Sequence, residues 1–174
     1  MTHLNTKERY LLEDQKSHEE ICIKKYGSYA NQAQDPQLKQ LFSDHGRHEQ
    51  QHYNTINQIL SGQVPNMSQQ QGQQQQQQMQ QQAQQQNQPP QSRQQSQLNP
   101  NHIQVGITSQ NDADLCSDML STEKYVSSTY DTAIFEFTDH NIRNALNHIQ
   151  KEEQEHGEAI FAYMQSKGMY NPPQ

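Results

Sequence analysis

The sequence predicts an all-α protein, a four-helix bundle made of two repeated helical hairpins. Apolar residues recur at helical spacing on both sides of a Gln-rich middle, and no stretch alternates apolar and polar residues as a half-buried strand does. Shifting the 174-residue chain by 104 residues brings its two flanks into register, which indicates duplication of a hairpin. One hairpin cannot cover its own apolar stripe, so we expect the two to pack together.

The first hairpin has clear start signals for both helices. Asn5 and Glu8 have the spacing of a capping box, which predicts a first helix over about residues 6 to 33. Asp35 is the expected N-cap of the second helix, and Pro36 takes the first helical position, where its missing N–H costs nothing. A following glycine and proline supply the stop.

The second hairpin repeats this plan. Asn111 or Asp112 opens a third helix that runs to about Thr138. Asp139, which lies in register with the N-cap of the second helix, caps a fourth helix that ends at Gly168.

We therefore divide the chain into a hairpin over residues 1–64, a disordered Gln-rich linker over 65–108 and a hairpin over 109–174, and the two hairpins form one domain. If a two-fold axis perpendicular to the bundle relates them, the second and third helices are parallel and the linker has to cross the bundle. A helix of about 28 residues spans roughly 42 Å. A disordered linker of about 45 residues spans roughly 35 to 40 Å, enough for a crossover. Self-association of the Gln tract through amide ladders is the alternative use.

Composition excludes several function classes. Only 29% of the residues are hydrophobic, but the polarity is concentrated in the Gln tract, which leaves enough apolar residues in the flanks for a core. The net charge of −7 argues against nucleic-acid binding, which needs a basic surface. Neither end has an apolar stretch of signal-peptide or membrane-span length, so we expect a cytosolic product with reduced cysteines and no membrane association.

Each half carries the same set of candidate metal ligands, one lone glutamate followed 30 residues later by a Glu-x-x-His pair. A glutamate from each of two helices and a Glu-x-x-His from each of the other two form the side-chain set of a two-metal site inside a four-helix bundle. The helical phase of the apolar residues turns all four carboxylates inward. The predicted ligands are Glu19, Glu49 and His52 in the first half and Glu123, Glu153 and His156 in the second.

Buried carboxylates need compensation, because each costs several kcal/mol of desolvation without a partner. Two divalent cations would balance four carboxylates, and oxygen-rich ligands with one imidazole per ion suit iron or manganese better than zinc. The sequence therefore predicts two Fe or Mn ions. The alternative is a metal-free bundle whose carboxylates are partly protonated or whose centre is wet.

Neighbouring side chains receive plainer interpretations. His45 lies one turn before a predicted ligand and is interpreted as a surface or core-edge residue, with a supporting role at the site as the alternative. His48 and Glu152 are interpreted as solvated. Tyr26 and Tyr130 face the centre, where they either fill the core or hydrogen-bond the ligands.

The second half also resembles a known family. The segment from Leu120 to Asn171, with its TEKY, YDTAIFE, HIQKEEQEHG and KGMYN runs, is similar to the spore coat protein F (CotF-like) family. The first half departs from this pattern, since HGRHEQQHY replaces HIQKEEQEHG. The resemblance implies a ferritin-like fold and a sporulation protein of the spore coat or spore interior, with other coat proteins as partners and a homo-oligomer left open.

Two functions remain open at this point. The first is a spore coat-associated protein with a structural or interaction role and a dinuclear metal centre. The second is a di-iron or di-manganese redox enzyme of catalase, peroxidase or ferroxidase type that protects the spore from oxidants.

Overall fold

A computed structural model describes residues 3–63 and 110–170, and the predicted Gln-rich linker over 65–108 lies outside these residues. The described residues form four helices and no strand, which confirms the all-α prediction. Three helices end one or two residues earlier than predicted. The helices are α1 (Thr6–Gln32), α2 (Pro36–Leu60), α3 (Gln110–Glu136) and α4 (His140–Ser166).

The predicted starts of α1, α2 and α4 are confirmed by their hydrogen bonds, whereas α3 already includes Gln110, before the predicted start at Asn111 or Asp112. The Glu8 amide donates to Asn5 Oδ1 and the Asn5 amide donates to Glu8 Oε2, both at 2.9 Å, so α1 begins with a reciprocal capping box. The side chains of Asp35 and Asp139 accept amide hydrogen bonds at the first turns of α2 and α4. The glycines that follow α2 and α4 have φ of 84° and 70°, a backbone conformation that ends helices.

The two hairpins pack side by side through α1 against α3 and α2 against α4. Lys25 near the end of α1 forms a 2.6 Å ion pair with Asp118 near the start of α3, so these helices are antiparallel. Tyr163 near the end of α4 donates to Asp35 just before α2 at 3.0 Å, so α2 and α4 are antiparallel as well. It follows that α2 and α3 run parallel, as expected for hairpins related by a perpendicular two-fold axis.

A buried carboxylate at the start of each hairpin binds the loop of the other hairpin. Glu8 accepts hydrogen bonds from the backbone N and the Oγ1 of Thr138, both at 3.1 Å. Asp112 accepts from the backbone N of Gln34 at 2.8 Å and of Asp35 at 3.0 Å. Glu8 and Asp112 are themselves 104 residues apart, so the repeat extends to these contacts. We call the two contacts the hairpin clasps.

The core consists of buried apolar residues on either side of a polar centre. On each helix the apolar side chains that share the inward face flank a buried glutamate near the helix middle. Among the described helices, none combines the length and the apolar character that a membrane crossing requires. Fully buried members of the core include Leu12, Leu38, Phe42, Ile56, Met119, Ile142, Leu146, Ile149 and Ile160.

Candidate metal centre

The structure brings all six predicted ligands together at the middle of the bundle. α1 and α3 each contribute one glutamate, and α2 and α4 each contribute a Glu-x-x-His pair from one inward face. None of the six is more than 3% exposed. Sequence phase alone therefore placed these side chains on the correct faces: Glu19, Glu49, His52, Glu123, Glu153 and His156.

The six residues divide into two groups of four that share Glu49 and Glu153. Within each group, one nitrogen or oxygen atom per residue lies within 4.8 Å of the others, close enough for one metal ion. The shared carboxylates come from α2 and α4, one from each hairpin. The complete groups are Glu19, Glu49, His52 and Glu153, and Glu49, Glu123, Glu153 and His156.

Both histidines direct Nδ1 at the shared carboxylates. His52 Nδ1 is 2.9 Å from Glu153 Oε1, and His156 Nδ1 is 2.9 Å from Glu49 Oε1. These atoms are close, yet neither nitrogen makes a hydrogen bond of acceptable geometry. Each of these nitrogens therefore lies beside a shared carboxylate without being joined to it by a hydrogen bond.

Buried polar atoms without a hydrogen-bond partner occur at this centre. Among the described residues, all such side-chain atoms belong to the six predicted ligands. An unsatisfied buried polar atom is costly, and native structures contain few of them. A cation between the carboxylates would satisfy the atoms that the protein leaves without partners: Glu19 Oε2, both oxygens of Glu49, His52 Nδ1, Glu123 Oε2, both oxygens of Glu153 and His156 Nδ1.

The outer nitrogen of each histidine contacts the opposite hairpin. His52 Nε2 lies 2.9 Å from Glu152 Oε2, and His156 Nε2 lies 3.2 Å from His48 Nδ1. Glu152 and His48 occupy matching positions in the repeat. A proton on Nε2 leaves Nδ1 as the bare, metal-binding nitrogen. The interpretation of His48 and Glu152 as solvated is wrong, because each is half-buried against a candidate ligand.

The two central tyrosines hydrogen-bond the lone glutamates across the hairpins. Tyr26 donates to Glu123 Oε1, and Tyr130 donates to Glu19 Oε1. Both rings are fully buried, so each tyrosine fills the core and also hydrogen-bonds a candidate ligand. Each tyrosine satisfies one oxygen of its glutamate and leaves the second oxygen to face the centre.

Burial changes the ionisation of the carboxylates. It raises the pKa of Glu19 and of Glu153 to about 7, and it raises the pKa of Glu49 and Glu123 above the ordinary range. Without a cation, part of the cluster is therefore protonated near neutral pH. A divalent cation reverses this preference, since it favours the ionised ligands.

The histidines differ in charge. Burial lowers the pKa of His156 to about 4 and that of His45 to about 2, and it also lowers the pKa of His48, so these rings are neutral. Burial opposes protonation of His52 too, but the hydrogen bond to Glu152 and the proximity of the central carboxylates raise its pKa well above the ordinary value. The expected surface or core-edge position of His45 is wrong, because this ring is buried and stacks on His156 at 4.3 Å.

A cavity of about 500 Å³ opens between α3 and α4 and reaches the acidic cluster. Its lining includes Glu123 and Glu153, so two candidate ligands contribute to its inner wall. Carboxylate oxygens with one imidazole per ion are a donor set suited to iron or manganese. Each four-residue group could hold a cation, and the cavity is lined by two of their carboxylates.

Comparison with known proteins finds a family match for the second hairpin. The family model of the Coat F domain matches residues 111–174, which include the segment whose motifs resemble spore coat protein F. No curated protein and no solved structure matches the chain significantly. The first hairpin is related to the matched segment through the internal repeat. Residues 111–174 are thus similar to the Coat F domain, the domain of the family that the sequence motifs resemble.

Proposed function

We propose that this chain is a spore coat-associated protein whose bundle, ferritin-like in architecture, binds two Fe or Mn ions. The coat assignment rests on the Coat F match, and it implies other coat proteins as partners and a place in the coat or the spore interior. The metal assignment rests on one observation, the confinement of the described unpartnered buried polar atoms to the six candidate ligands. A structural or interaction role in the coat fits both.

The donor set divides evenly between two ions. Each would have one lone glutamate, one histidine and the shared pair Glu49 and Glu153. Four carboxylates and two divalent cations leave no net charge in the buried centre, which removes the cost of burying anions. The parallel course of α2 and α3 and the Glu/Glu-x-x-His pattern support the ferritin-like architecture.

The residues around the ligands fix their orientation. With a metal ion on Nδ1 of both histidines, Nε2 of His52 would donate to Glu152 and Nε2 of His156 would donate to His48. A carboxylate partner makes an imidazole a stronger donor than a neutral partner does. The two halves of the centre are therefore chemically unequal, with the His52 side the more electron-rich.

Metal analysis tests the proposal directly. Protein purified after expression with iron and manganese is expected to contain two ions per chain, because two four-residue groups are present. Elemental analysis of the dialysed protein measures this content. A content below one ion per chain would contradict the metal centre, and only the coat assignment would then remain.

The cavity favours a second candidate function, a redox enzyme of catalase, peroxidase or ferroxidase type. Bound iron or manganese would supply the electron-transfer chemistry, and the opening between α3 and α4 would admit the oxidant. Metal-loaded protein is then expected to consume hydrogen peroxide faster than the metal-free protein. Oxygen release and peroxide loss measure these rates. Equal rates for metal-loaded and metal-free protein would contradict the enzyme function and leave the structural role.

The pH dependence of stability separates metal-free from metal-bound protein. Glu19 and Glu153 have pKa values of about 7 in the fold, above their ordinary 4.5, so the stability from their protonation is lost as pH rises through 7. Between pH 6.5 and 8 the metal-free protein is expected to lose on the order of 1 kcal/mol. Metal-bound protein is expected to change in the opposite direction, because metal competes with protons for the ligands.

Urea unfolding with and without a chelator measures both slopes. The variant Glu19→Gln/Glu153→Gln serves as the matched control and should lose less stability than the wild type over this range, because two of the groups with raised pKa values are removed. A metal-free wild type whose stability rises from pH 6.5 to 8 would contradict the assigned ionisation.

A further inference from the structure

We infer that the cavity between α3 and α4 is an entry route for divalent cations to the acidic centre, and that the matching face between α1 and α2 is closed by Tyr53. This inference rests on the proposed metal centre. It goes beyond the metal centre because it assigns cation entry to one face of the duplicated bundle and a closed surface to the other.

The inner wall of the cavity already carries unpartnered ligand atoms. Glu123 is 1% exposed and Glu153 is fully buried, and three of their four carboxylate oxygens lack a hydrogen-bond partner. Both residues line the cavity. Oxygen donors nearer to solvent can replace the water of an arriving cation in steps. These donors are Ser127, Ser128, Asp131, Gln150 and Gln154.

The first hairpin carries bulkier groups at two of the matching positions. Gly157 of the cavity corresponds to Tyr53, and Ser127 corresponds to Ile23. The Lys16 ammonium lies 5.3 Å from the centroid of the Tyr53 ring and covers it from α1. The first hairpin therefore has an aromatic ring, covered by the Lys16 ammonium, in place of Gly157, and an isoleucine in place of the Ser127 hydroxyl.

The residues that lie between the helices of each hairpin also differ at one further matching position. A Cβ atom added to Gly46 in α2 would lie 3.2 Å from the Cβ of Tyr26 in α1, so a glycine allows these two helices to approach closely. The matching residue of α4 is Gln150, whose Nε2 donates to the carbonyl of Ser127 in α3 at 3.1 Å. Gln150 thus bridges α3 and α4, whereas Gly46 at the matching position allows α1 and α2 to approach closely.

Packing does not require a glycine at position 157. A Cβ atom there would meet Leu120 Cδ1 at 3.7 Å and Glu123 Cβ at 3.8 Å, which are ordinary van der Waals contacts. Glycine inside a helix also lowers its stability. A larger side chain would extend into the cavity without displacing the backbone, so Gly157 keeps space open at a cost to the helix.

The test is the rate at which metal-free protein takes up Co²⁺, followed by the visible absorbance of the bound ion. Gly157→Tyr copies the first hairpin and is expected to slow uptake at least about tenfold, because entry then requires a conformational opening. The final Co²⁺ content should stay at the wild-type value. Ser127→Ile narrows the cavity from α3 and is expected to slow uptake in the same direction.

Two further variants control for the added side chain and for the closed face. Ala162→Tyr adds the same ring at an exposed position of α4 and should not change the rate. Tyr53→Gly should accelerate uptake by opening the matching face. Wild-type rates in folded Gly157→Tyr and Ser127→Ile would overturn the entry route while the final content still supports the metal centre. A wild type that takes up no Co²⁺ at equilibrium would overturn the centre and the route together.

Discussion

The double variant Glu49→Ala/Glu153→Ala is expected to bind no Fe, Mn or Co ion, whereas Glu19→Ala/His52→Ala should retain one ion per chain. The reason is that Glu49 and Glu153 belong to both four-residue groups, while Glu19 and His52 belong to one. At a metal concentration 100 times Kd, binding stabilises the fold by about 3 kcal/mol, and the first variant loses this entirely. Elemental analysis and thermal unfolding with and without metal measure both effects.

A matched control is Glu155→Ala, which removes an acidic side chain that is more than half exposed on α4. It should keep both ions and the full metal-dependent rise in Tm. Two ions retained by Glu49→Ala/Glu153→Ala would contradict the shared-ligand arrangement. A higher Tm of this variant in the presence of metal would mean that no ion relieves the buried carboxylates.

Asp112→Ala is expected to lower the free energy of unfolding by about 2 kcal/mol, even though no candidate ligand is touched. The buried Asp112 carboxylate accepts the backbone amides of Gln34 and Asp35 in the loop of the other hairpin, so its removal leaves both amides without this acceptor. Glu8→Ala removes the opposite hairpin clasp and the capping box of α1, and its loss should be at least as large. Urea unfolding of metal-free protein measures the change.

The control for the clasps is Lys7→Ala, which breaks a surface ion pair with Glu136 between the same two helices. Its side chain is mostly exposed, so we expect a change below about 1 kcal/mol. Because the clasps lie at opposite ends of the bundle, the losses of Glu8→Ala and Asp112→Ala should add. An Asp112→Ala variant as stable as Lys7→Ala would show that the clasp does not hold the hairpins together.

Local signals predicted the helices well because each depends on a few adjacent residues. Asp35 and Asp139 cap the helices that they were expected to cap, and the capping box at Asn5 forms as predicted. Helix ends were placed one or two residues too late, at 33, 138 and 168, because several side chains near a helix end are compatible with helix without being part of it.

Predictions about flanking residues failed for a physical reason. Helical phase tells which side chains face the core of their own hairpin, but it does not tell what the flank of a helix meets. His48 and Glu152 lie on such flanks, and the opposite hairpin covers them. A signal was available, because Glu152 and His48 match in the repeat and precede the Glu-x-x-His pairs directly. Glu8 and Asp112, the acidic residues of the hairpin clasps, also occupy matching positions in the repeat.

By itself the sequence determined the all-α class, the doubled hairpin and the inward direction of the six candidate ligands, because periodicity and repeat register are properties of the chain alone. Only the tertiary structure decided which atoms meet: the sharing of Glu49 and Glu153, the hydrogen bonds from Tyr26 and Tyr130 across the hairpins, and the open face beside Gly157. These contacts join residues about 100 positions apart, and their distances depend on how closely two helices approach. That approach is set by side-chain volumes from both hairpins at once, which no local pattern encodes.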